Sequence, residues 1–383
     1  MPPPPPQPAP MLPDELLEEI FLRLPPDEPE LLVRASLASK LWLGRLTTPR
    51  FHGRYREFHT SPPMLGFFYS DPYINEEPPF VSTTKFRVRI PDPENMWYSA
   101  YDAWDCRHGR VLLGCSDEEL TVLDPITGYR SELVAPRYYS CFGAAVLCAV
   151  NGCDHRACHG GLSRVVFVGV DIIAAGFVAY AYESLQETDE RSKPHSRLRQ
   201  WSKPSSGLLL GPFASIELVP PVLIQDTLYF KLVYDDDHVE ILSYDLCSKC
   251  LSLIDAPLAD KHIAHITILM GMEDGSLGFA HLDWLTLNLW SRQMGPDGVG
   301  SWTECRGIDL DALLPGPKIG LRPIGHVEGG DIIFMTMELG IYEINLKSLE
   351  WKKIWKIENF HTLVPYMSFY YPQGRASPCD AAH

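Results

Sequence analysis

The residue types best suited to hold a metal ion lie together in one part of the chain. Four cysteines and two histidines stand within nineteen residues: Cys141, Cys148, Cys153, His155, Cys158 and His159. Zinc takes four such ligands in a tetrahedron, usually as closely spaced pairs. Cys153, His155, Cys158 and His159 could supply them, but their spacing matches no common zinc module. We therefore expect a cysteine-rich loop between strands without metal, and no cofactor elsewhere; a zinc cluster is the alternative.

A second pair of thiols, Cys247 and Cys250, has the Cys-x-x-Cys spacing of a redox motif. The surrounding sequence does not suggest the setting that lowers the pKa of a redox thiol. Because free cysteine is among the most buried residue types, we expect both thiols to lie in the core.

Catalytic sequence motifs are absent. The chain contains no G-x-S-x-G, H-E-x-x-H, G-x-x-x-x-G-K-[ST] or G-x-G-x-x-G. The acidic run at 235–237 separates two apolar segments and is typical of a solvated hairpin turn. The sequence therefore favours binding over bond-making chemistry.

A stretch suited to binding another protein begins at residue 12. Apolar residues at positions 12, 16, 17, 20, 21 and 24 have the spacing of an amphipathic helix, and Pro25-Pro26 ends it. A second apolar stripe follows at 31–38, then Lys40-Leu41-Trp42 and Pro49-Arg50-Phe51. Three short helices cannot bury that much apolar surface among themselves, which indicates that a partner covers the remainder. An ordinary helical hairpin is the alternative.

The order of these residues resembles the F-box. The residues that match the family pattern are Leu12, Pro13, Glu15, Leu16, Leu17, Ile20, Arg23, Leu24, Pro25, Leu31, Leu32, Ser36, Lys40, Trp42, Pro49 and Phe51. Ser39 replaces the usual cysteine, and Leu43-Gly44 replaces a common basic pair. The resemblance implies a three-helix domain that binds a Skp-type adaptor and, through it, a cullin. The expected adaptor-binding residues are Leu12, Pro13, Leu16, Leu17, Ile20, Leu24, Leu32, Leu37 and Trp42.

From residue 60 the helical spacing gives way to a degenerate repeat of β-strands and turns. Residues 109–113 and 120–128 read as two strands followed by an Asp-Pro-x-Thr-Gly turn. The same pattern returns at 225–246, 273–290 and 328–346, and a more apolar copy runs from 165 to 182. Tryptophans at 201, 302 and 351 follow three of the copies. A repeat of about 45–55 residues with this pattern is typical of a propeller blade.

This part of the chain resembles the kelch-like β-propeller that follows the F-box in a large plant family, abundant in grasses. The matching segments are Gly109–Leu113, Leu120–Gly128 and Leu287–Ser291. We predict an all-β propeller of six blades, with five or seven as alternatives and an irregular β-sandwich as another. We also predict that Leu363–Tyr370 closes the ring by pairing near Met64–Tyr69.

Composition narrows the class of partner. The formal net charge is −16, which argues against nucleic acid, because binding it requires basic surfaces. The apolar run at 165–182 approaches membrane-spanning length, but its β-branched residues and Asp171 favour two buried strands and no membrane partner. Ten cysteines and no N-x-[ST] sequon favour an intracellular chain with reduced thiols, in the cytoplasm and/or the nucleus.

The sequence predicts four regions and two possible functions. Residues 1–10, with seven prolines, form a disordered tail or a ligand for an aromatic groove. The F-box spans 11–58, the propeller spans 59–372, and 373–383 is a disordered tail. The resemblance implies a substrate-recognition subunit of a Skp–cullin–F-box ubiquitin ligase that binds an unknown target protein. A propeller enzyme or small-ligand-binding protein is the alternative, because folds alone do not fix function.

Overall fold

Four helices lead into six antiparallel sheets in the computed structural model. It describes residues 13–70, 80–85, 102–114, 119–136, 139, 141–150, 163–174, 176–184, 201–258, 263–296, 298–356 and 361–372.

The helical part follows the predicted stretches and adds a fourth helix. The helices are α1 (Asp14–Leu22), α2 (Pro29–Ala38), α3 (Lys40–Leu46) and α4 (Pro49–His59). Proline fits the first turn of α2 and of α4, where its missing N–H costs nothing. The Ser39 hydroxyl caps α3 by accepting the Leu41 N–H, and Thr48 caps α4 by accepting the Phe51 N–H. Despite Gly44, α3 is continuous.

Helix α4 holds the other three helices together. Leu17, Phe21, Leu32 and Leu46 pack with α4 side chains in one buried cluster. The polar groups of α4 bind the ends of its neighbours: the Tyr55 hydroxyl donates to the Leu24 carbonyl at 2.7 Å, and His59 Nε2 lies 2.8 Å from the Leu22 carbonyl. His52 Nε2 lies 2.8 Å from the Leu46 carbonyl at the end of α3. These contacts satisfy carbonyls that a helix end leaves without intrahelical partners.

Six blades form the rest of the described fold, numbered along the chain. Blade 1 is β1 (Met64–Ser70), β2 (Phe80–Ser82) and β24 (Thr362–Met367). Blade 2 is β3 (Asp102–Arg107), β4 (Arg110–Gly114), β5 (Glu119–Leu123) and β6 (Arg130–Val134). Blade 3 is β7 (Cys141–Cys148), β8 (Ser163–Ile173), β9 (Gly176–Glu183) and β10 (Leu208–Leu210).

Blade 4 is β11 (Ser215–Ile216), β12 (Val222–Ile224), β13 (Thr227–Val233), β14 (Val239–Asp245) and β15 (Cys250–Asp255). Blade 5 is β16 (Thr267–Gly271), β17 (Leu277–Asp283), β18 (Thr286–Met294) and β19 (Gly300–Asp309). A short helix, α5 (Leu310–Leu313), precedes blade 6, which is β20 (Arg322–His326), β21 (Ile332–Met337), β22 (Gly340–Asn345) and β23 (Trp351–Trp355).

The innermost strands of the blades form a closed ring around a central channel. Strand β24 lies beside β3, β3 beside β7, β7 beside β11, β12 beside β16, β16 beside β20, and β20 beside β24. In blade 4 the innermost position is shared by β11 and β12, which pair with the two ends of β13. The chain is therefore a six-bladed β-propeller, as predicted, and the β-sandwich alternative is wrong.

The ring closes with strands from both ends of the propeller sequence. Strand β24 pairs antiparallel with β1, with Met64 opposite Met367 and Ser70 opposite Thr362. This confirms the predicted closure. Strand β24 thereby covers the edge of β1 that would otherwise be open at the seam.

The repeats visible in the sequence are the middle hairpins of the blades. The segments at 225–246, 273–290 and 328–346 form β13–β14, β17–β18 and β21–β22. The apolar run at 165–182 lies in β8 and β9, as the two-strand interpretation predicted. Among the residues that the structure describes, no helix is both long and apolar enough to cross a membrane.

Three hairpin turns share one geometry. In each, an Asp or Asn side chain accepts two backbone N–H groups, and the fourth residue after it has a positive φ. These turns begin at Asp124, Asp245 and Asn345. Cys247 and Cys250 lie in and just after the second of these turns, and both are exposed. The prediction that they are buried is therefore wrong, because the turn carries them out of the core.

Candidate functional site

Helix α1 has one buried and one exposed apolar face. Leu17 and Phe21 point into the helical core, whereas Leu16 and Ile20, four residues apart, are exposed. In α2 the same division places Leu32 inside and leaves Leu37 81% exposed. Large exposed apolar side chains on short helices are typical of surfaces that bind other proteins.

The structure divides the predicted adaptor-binding residues into two groups. Leu16, Ile20, Leu37 and Pro13 are exposed. Leu17 and Leu32 are fully buried within the helical core, and Leu24 and Trp42 are partly buried against it. Leu17 and Leu32 therefore lie in the helical core with side chains of α4, and not on its exposed surface. Leu12 lies outside the described residues.

One exposed leucine was missed by the sequence reasoning. Leu41, at the start of α3, is exposed like Leu37, and Ser39 stands between them as the cap of α3. The sequence signal was the apolar pair on either side of a good N-cap residue. We define the exposed helical face as Leu16, Ile20, Leu37 and Leu41.

The last described segment fixes these helices to the propeller. After β24, Phe369 and Tyr371 enter the same buried cluster as Phe51 and Tyr55 of α4. The Tyr371 ring stacks on His52 with centroids 3.9 Å apart, and its hydroxyl donates to the His52 carbonyl at 3.4 Å. The helices therefore sit beside the ring seam.

A cavity of about 650 Å³ lies in the central channel. Its lining includes charged groups and histidines from several blades: Arg107, Lys231, Arg322, Glu217, Glu328, His326 and His361. The size is that of a small-ligand pocket. The charges nevertheless have partners within the protein, which limits what a ligand could bind.

Arg107 is the centre of this charge network. Its Nε donates to both carboxylate oxygens of Glu328 at 2.8 and 2.9 Å, its Nη1 to Asp105, and its Nη2 to the Pro221 carbonyl. These four residues belong to blade 2, to the loop in blade 6 that follows β20, and to the loop before β12 in blade 4. The guanidinium thus bridges three alternate blades across the channel.

Asp105 extends the network to blade 3. Its Oδ2 accepts the Val146 N–H at 2.7 Å, and its Oδ1 accepts the Cys106 N–H at 2.9 Å. Burial raises the pKa of Asp105 to about 6, although Arg107 opposes the increase. Burial likewise lowers the pKa of the neighbouring His326 to about 4, so this imidazole is neutral at pH 7.

Lys231 forms a second buried contact between blades. Its ammonium donates to the Ala264 and Thr267 carbonyls of blade 5 and lies 2.5 Å from Glu217 Oε2. Two of its N–H donors therefore have carbonyl acceptors, and the ammonium forms an ion pair with Glu217. Like Arg107, it joins blades and has little capacity left for a ligand.

The residues of the expected cysteine-rich loop, Cys153, His155, Cys158 and His159, lie outside the described residues, so the zinc alternative stays open. Cys141 and Cys148, at the ends of β7, are free thiols. Within the described ranges, no three His, Cys, Asp or Glu side chains are grouped to hold a metal ion.

The helical part also matches a known family of domains. Residues 10–52 match the F-box domain family. The chain therefore carries an F-box domain followed by a six-bladed β-propeller.

Other comparisons give distant likenesses. No curated protein sequence matches the chain. Its fold is similar to the WD40 domain of SCAP from fission yeast, with 15% identity, 66% of this chain and 54% of that chain covered, and a TM-score of 0.35. It is also similar to a puromycin-hydrolyzing peptidase of Mycobacterium tuberculosis, with 12% identity, 67% and 38% covered, and a TM-score of 0.34. The chain spans about half the length of the first structure and less of the second.

Proposed function

We propose that this chain is a substrate-recognition subunit of a Skp–cullin–F-box ubiquitin ligase, acting in the cytoplasm or the nucleus. The observation that carries the proposal is an F-box domain whose exposed apolar residues lie on helices locked to a propeller. In this function the chain performs no chemistry. It holds a target protein near the ubiquitin carrier, which raises the effective concentration of the reacting groups.

The exposed helical face is the proposed adaptor-binding surface. Leu16, Ile20, Leu37 and Leu41 offer apolar side chains that the chain does not bury itself. Leu24 and Trp42 are partly buried against the helical core. The cullin would join through the adaptor. We also propose that the propeller is of the kelch-like plant type, on the basis of its glycine, strand and tryptophan repeat.

Titration with a purified Skp-type adaptor tests the proposal. Truncating buried interface anchors often costs at least about 2 kcal/mol, roughly thirtyfold in affinity. We expect at least this loss for Leu16→Ala with Ile20→Ala in the full chain. Leu209→Ala, at an exposed leucine of blade 3, is the matched control and should bind the adaptor normally. Unchanged affinity of the double variant would contradict the proposed docking surface.

The channel cavity supports the second candidate function, a propeller enzyme or small-ligand-binding protein. Recovery of adaptor and cullin with the tagged chain from a lysate favours the ligase subunit. Failure of adaptor binding in both the lysate and the purified titration favours the ligand-binding alternative. The internal pairing of Arg107 and Lys231 supports the first function.

A further inference from the structure

The two ends of the propeller ring differ in what they carry. In blades 5 and 6, the middle hairpins β17–β18 and β21–β22 and the connection between the two blades lie at one end of the ring. Strand β1 starts opposite the end of β24, because Met64 pairs with Met367. The helices precede β1 and therefore join the other end of the ring. A surface formed by middle hairpins and inter-blade connections therefore faces away from the F-box domain.

One such surface, between blades 5 and 6, combines exposed apolar and acidic side chains. We define the acidic–apolar patch as Asp283, Trp284, Asp311, Ile319, Glu338 and Leu339. Asp283 and Trp284 stand at the tip of the β17–β18 hairpin, and Glu338 and Leu339 at the tip of β21–β22. Asp311 and Ile319 belong to the connection from blade 5 to blade 6.

Trp284 is the most unusual residue of the patch. Its side chain is 91% exposed, and its φ of 53° is in the left-handed region, where glycine or asparagine is favoured. Neither core packing nor turn geometry explains a tryptophan at this position. Exposed aromatic side chains at loop tips are typical anchors of protein interfaces.

Backbone contacts join the two hairpin tips into one surface. The Glu338 N–H donates to the Ile319 carbonyl, and the Leu310 N–H donates to the Leu285 carbonyl, both at 2.8 Å. The Leu339 side chain lies over Gly316, where a Cβ would come within 2.6 Å of it. The connection from 310 to 321 therefore bridges the tips, and the patch is continuous.

The charge of the patch is negative. Asp283, Asp311 and Glu338 are exposed. The one basic residue of the connection, Lys318, is turned inward: its ammonium donates to the Leu314 and Gly316 carbonyls at 2.8 Å and lies 3.5 Å from Asp311. Its side chain is only 8% exposed. The solvent-facing surface thus offers three carboxylates beside apolar groups, with the exposed Lys353, whose side chain lies beside Gly340, as a neighbouring cation.

We propose that the acidic–apolar patch binds a basic amphipathic segment of a target protein, with Lys or Arg and apolar residues at the spacing of an amphipathic helix. Apolar residues of the segment would cover Trp284, Ile319 and Leu339, and its cations would lie against the carboxylates or over the indole face. That the segment belongs to a target rests on the proposed function. Its place opposite the F-box domain leaves the adaptor-binding face open.

The test uses a fluorescently labelled peptide of about 16 residues, built from Lys and Leu with the spacing of an amphipathic helix. Its anisotropy is followed during titration with the full chain. We expect binding that weakens as salt is raised, because exposed charges are screened. A peptide with Glu in place of every Lys should not bind. Trp284→Asn keeps a residue suited to positive φ and should weaken binding at least tenfold, as should Asp311→Asn with Glu338→Gln.

A matched control separates the patch from the general negative charge of the chain. Val299→Asn changes an exposed apolar residue in the β18–β19 hairpin, at the other end of the ring, and should leave peptide affinity unchanged. Equal affinity of Trp284→Asn and wild type would overturn the proposal. A peptide of Lys and Ser that binds as tightly as the Lys and Leu peptide would also overturn it, because charge alone would then account for binding. A dimer that Trp284→Asn abolishes would mean that a second copy covers the patch.

The same variants distinguish this inference from the proposed function. Trp284→Asn should bind the Skp-type adaptor as wild type does, and Leu16→Ala with Ile20→Ala should bind the peptide as wild type does. A wild-type chain that does not bind the adaptor would refute the ligase function, whatever its affinity for the peptide. A wild-type chain that binds the adaptor but not the peptide would refute the proposed role of the acidic–apolar patch and leave the ligase function standing.

Discussion

At the scale of single residues, helix α2 carries one leucine in the core and another on the surface. Leu32 is 1% exposed and packs against α4, whereas Leu37, in the same helix, is almost fully exposed. Leu32→Ala should destabilise the helices by about 2–5 kcal/mol, because it leaves a cavity in the core. Leu37→Ala should change stability by less than about 0.5 kcal/mol. Hydrogen exchange of α1–α4 measures both; equal protection in the two variants would contradict this division.

The sequence predicted the apolar positions of α1 but not their division between core and surface. Residues 16, 17, 20 and 21 span an arc of about 140° at 3.6 residues per turn, so the spacing alone does not say which of them face the core. The buried side of α1 is set by α4 and by Phe369 and Tyr371. These two aromatic residues lie more than 300 residues further along the chain. A local pattern carries no information about such a distant partner.

The buried imidazole of His326 should make the stability of the chain depend on pH. Burial holds the pKa of His326 at about 4 in the folded chain, against about 6.5 in an unfolded one. As the pH falls from 6.5 towards 4, the unfolded chain binds a proton that the folded chain does not. The contribution of His326 to the free energy of unfolding should therefore fall over this range, whereas the raised pKa of Asp105, about 6, acts in the opposite direction.

The check compares urea unfolding of wild type and His326→Gln at several pH values. The variant lacks the titrating imidazole, so its stability should fall less between pH 7 and pH 4.5. Glu328 and Arg107, which also act on this imidazole, are unchanged in both proteins. Parallel pH profiles would show that His326 is not the source of the loss.

At the scale of elements, ring closure depends on β24. Truncation after residue 360 removes this strand together with Phe369 and Tyr371, and so exposes the edge of β1 and part of the helical core. Exposed strand edges pair with other chains, so the truncated protein should aggregate. Truncation after residue 372 keeps all these contacts and is the control. Size-exclusion chromatography distinguishes them; a monomeric 1–360 fragment with normal melting would contradict the closure.

The junction between the F-box helices and the propeller gives another test. Tyr371 stacks on His52 and packs with Tyr55. Tyr371→Ala should loosen this junction and increase proteolysis near residues 60–63, while the blades keep their stability. Tyr129→Ala, at an exposed tyrosine of the β5–β6 turn, is the control. An unchanged cleavage rate in Tyr371→Ala would show that other contacts hold the junction.

The sequence predicts the middle strands of the blades well and the innermost strands less well. The hairpins β13–β14 and β21–β22 have long apolar runs separated by turn residues, which local patterns reveal. The innermost strands of blade 4 have only two and three residues, too few for any periodic signal. Their positions follow from pairing with β13, which is a tertiary constraint.

At the scale of the whole molecule, the charges in the channel join blades that are far apart in sequence. Arg107 and Glu328 are 221 residues apart, yet they share two hydrogen bonds. No spacing rule relates them, because the ring alone brings them together. The sequence therefore indicated the propeller but not the bridge across its channel.

This bridge should contribute to the stability of the whole ring. The Arg107 and Asp105 side chains are 4% and 2% exposed, so Arg107→Met leaves a buried carboxylate without its cation. Removing one partner of a buried ion pair typically costs about 3–5 kcal/mol. Asp105→Asn combined with Arg107→Met should cost less, because no buried charge remains while the asparagine oxygen can still accept the Val146 N–H.

Urea unfolding followed by tryptophan fluorescence measures these costs. Lys347→Met removes an exposed ion pair with Glu273 and should cost less than about 1 kcal/mol, which makes it the control. Because Arg107 contacts blades 4 and 6 from blade 2, hydrogen exchange should also rise in β12 and β20 of the Arg107→Met variant. A cost no greater than that of Lys347→Met would show that the six blades hold together by strand packing alone.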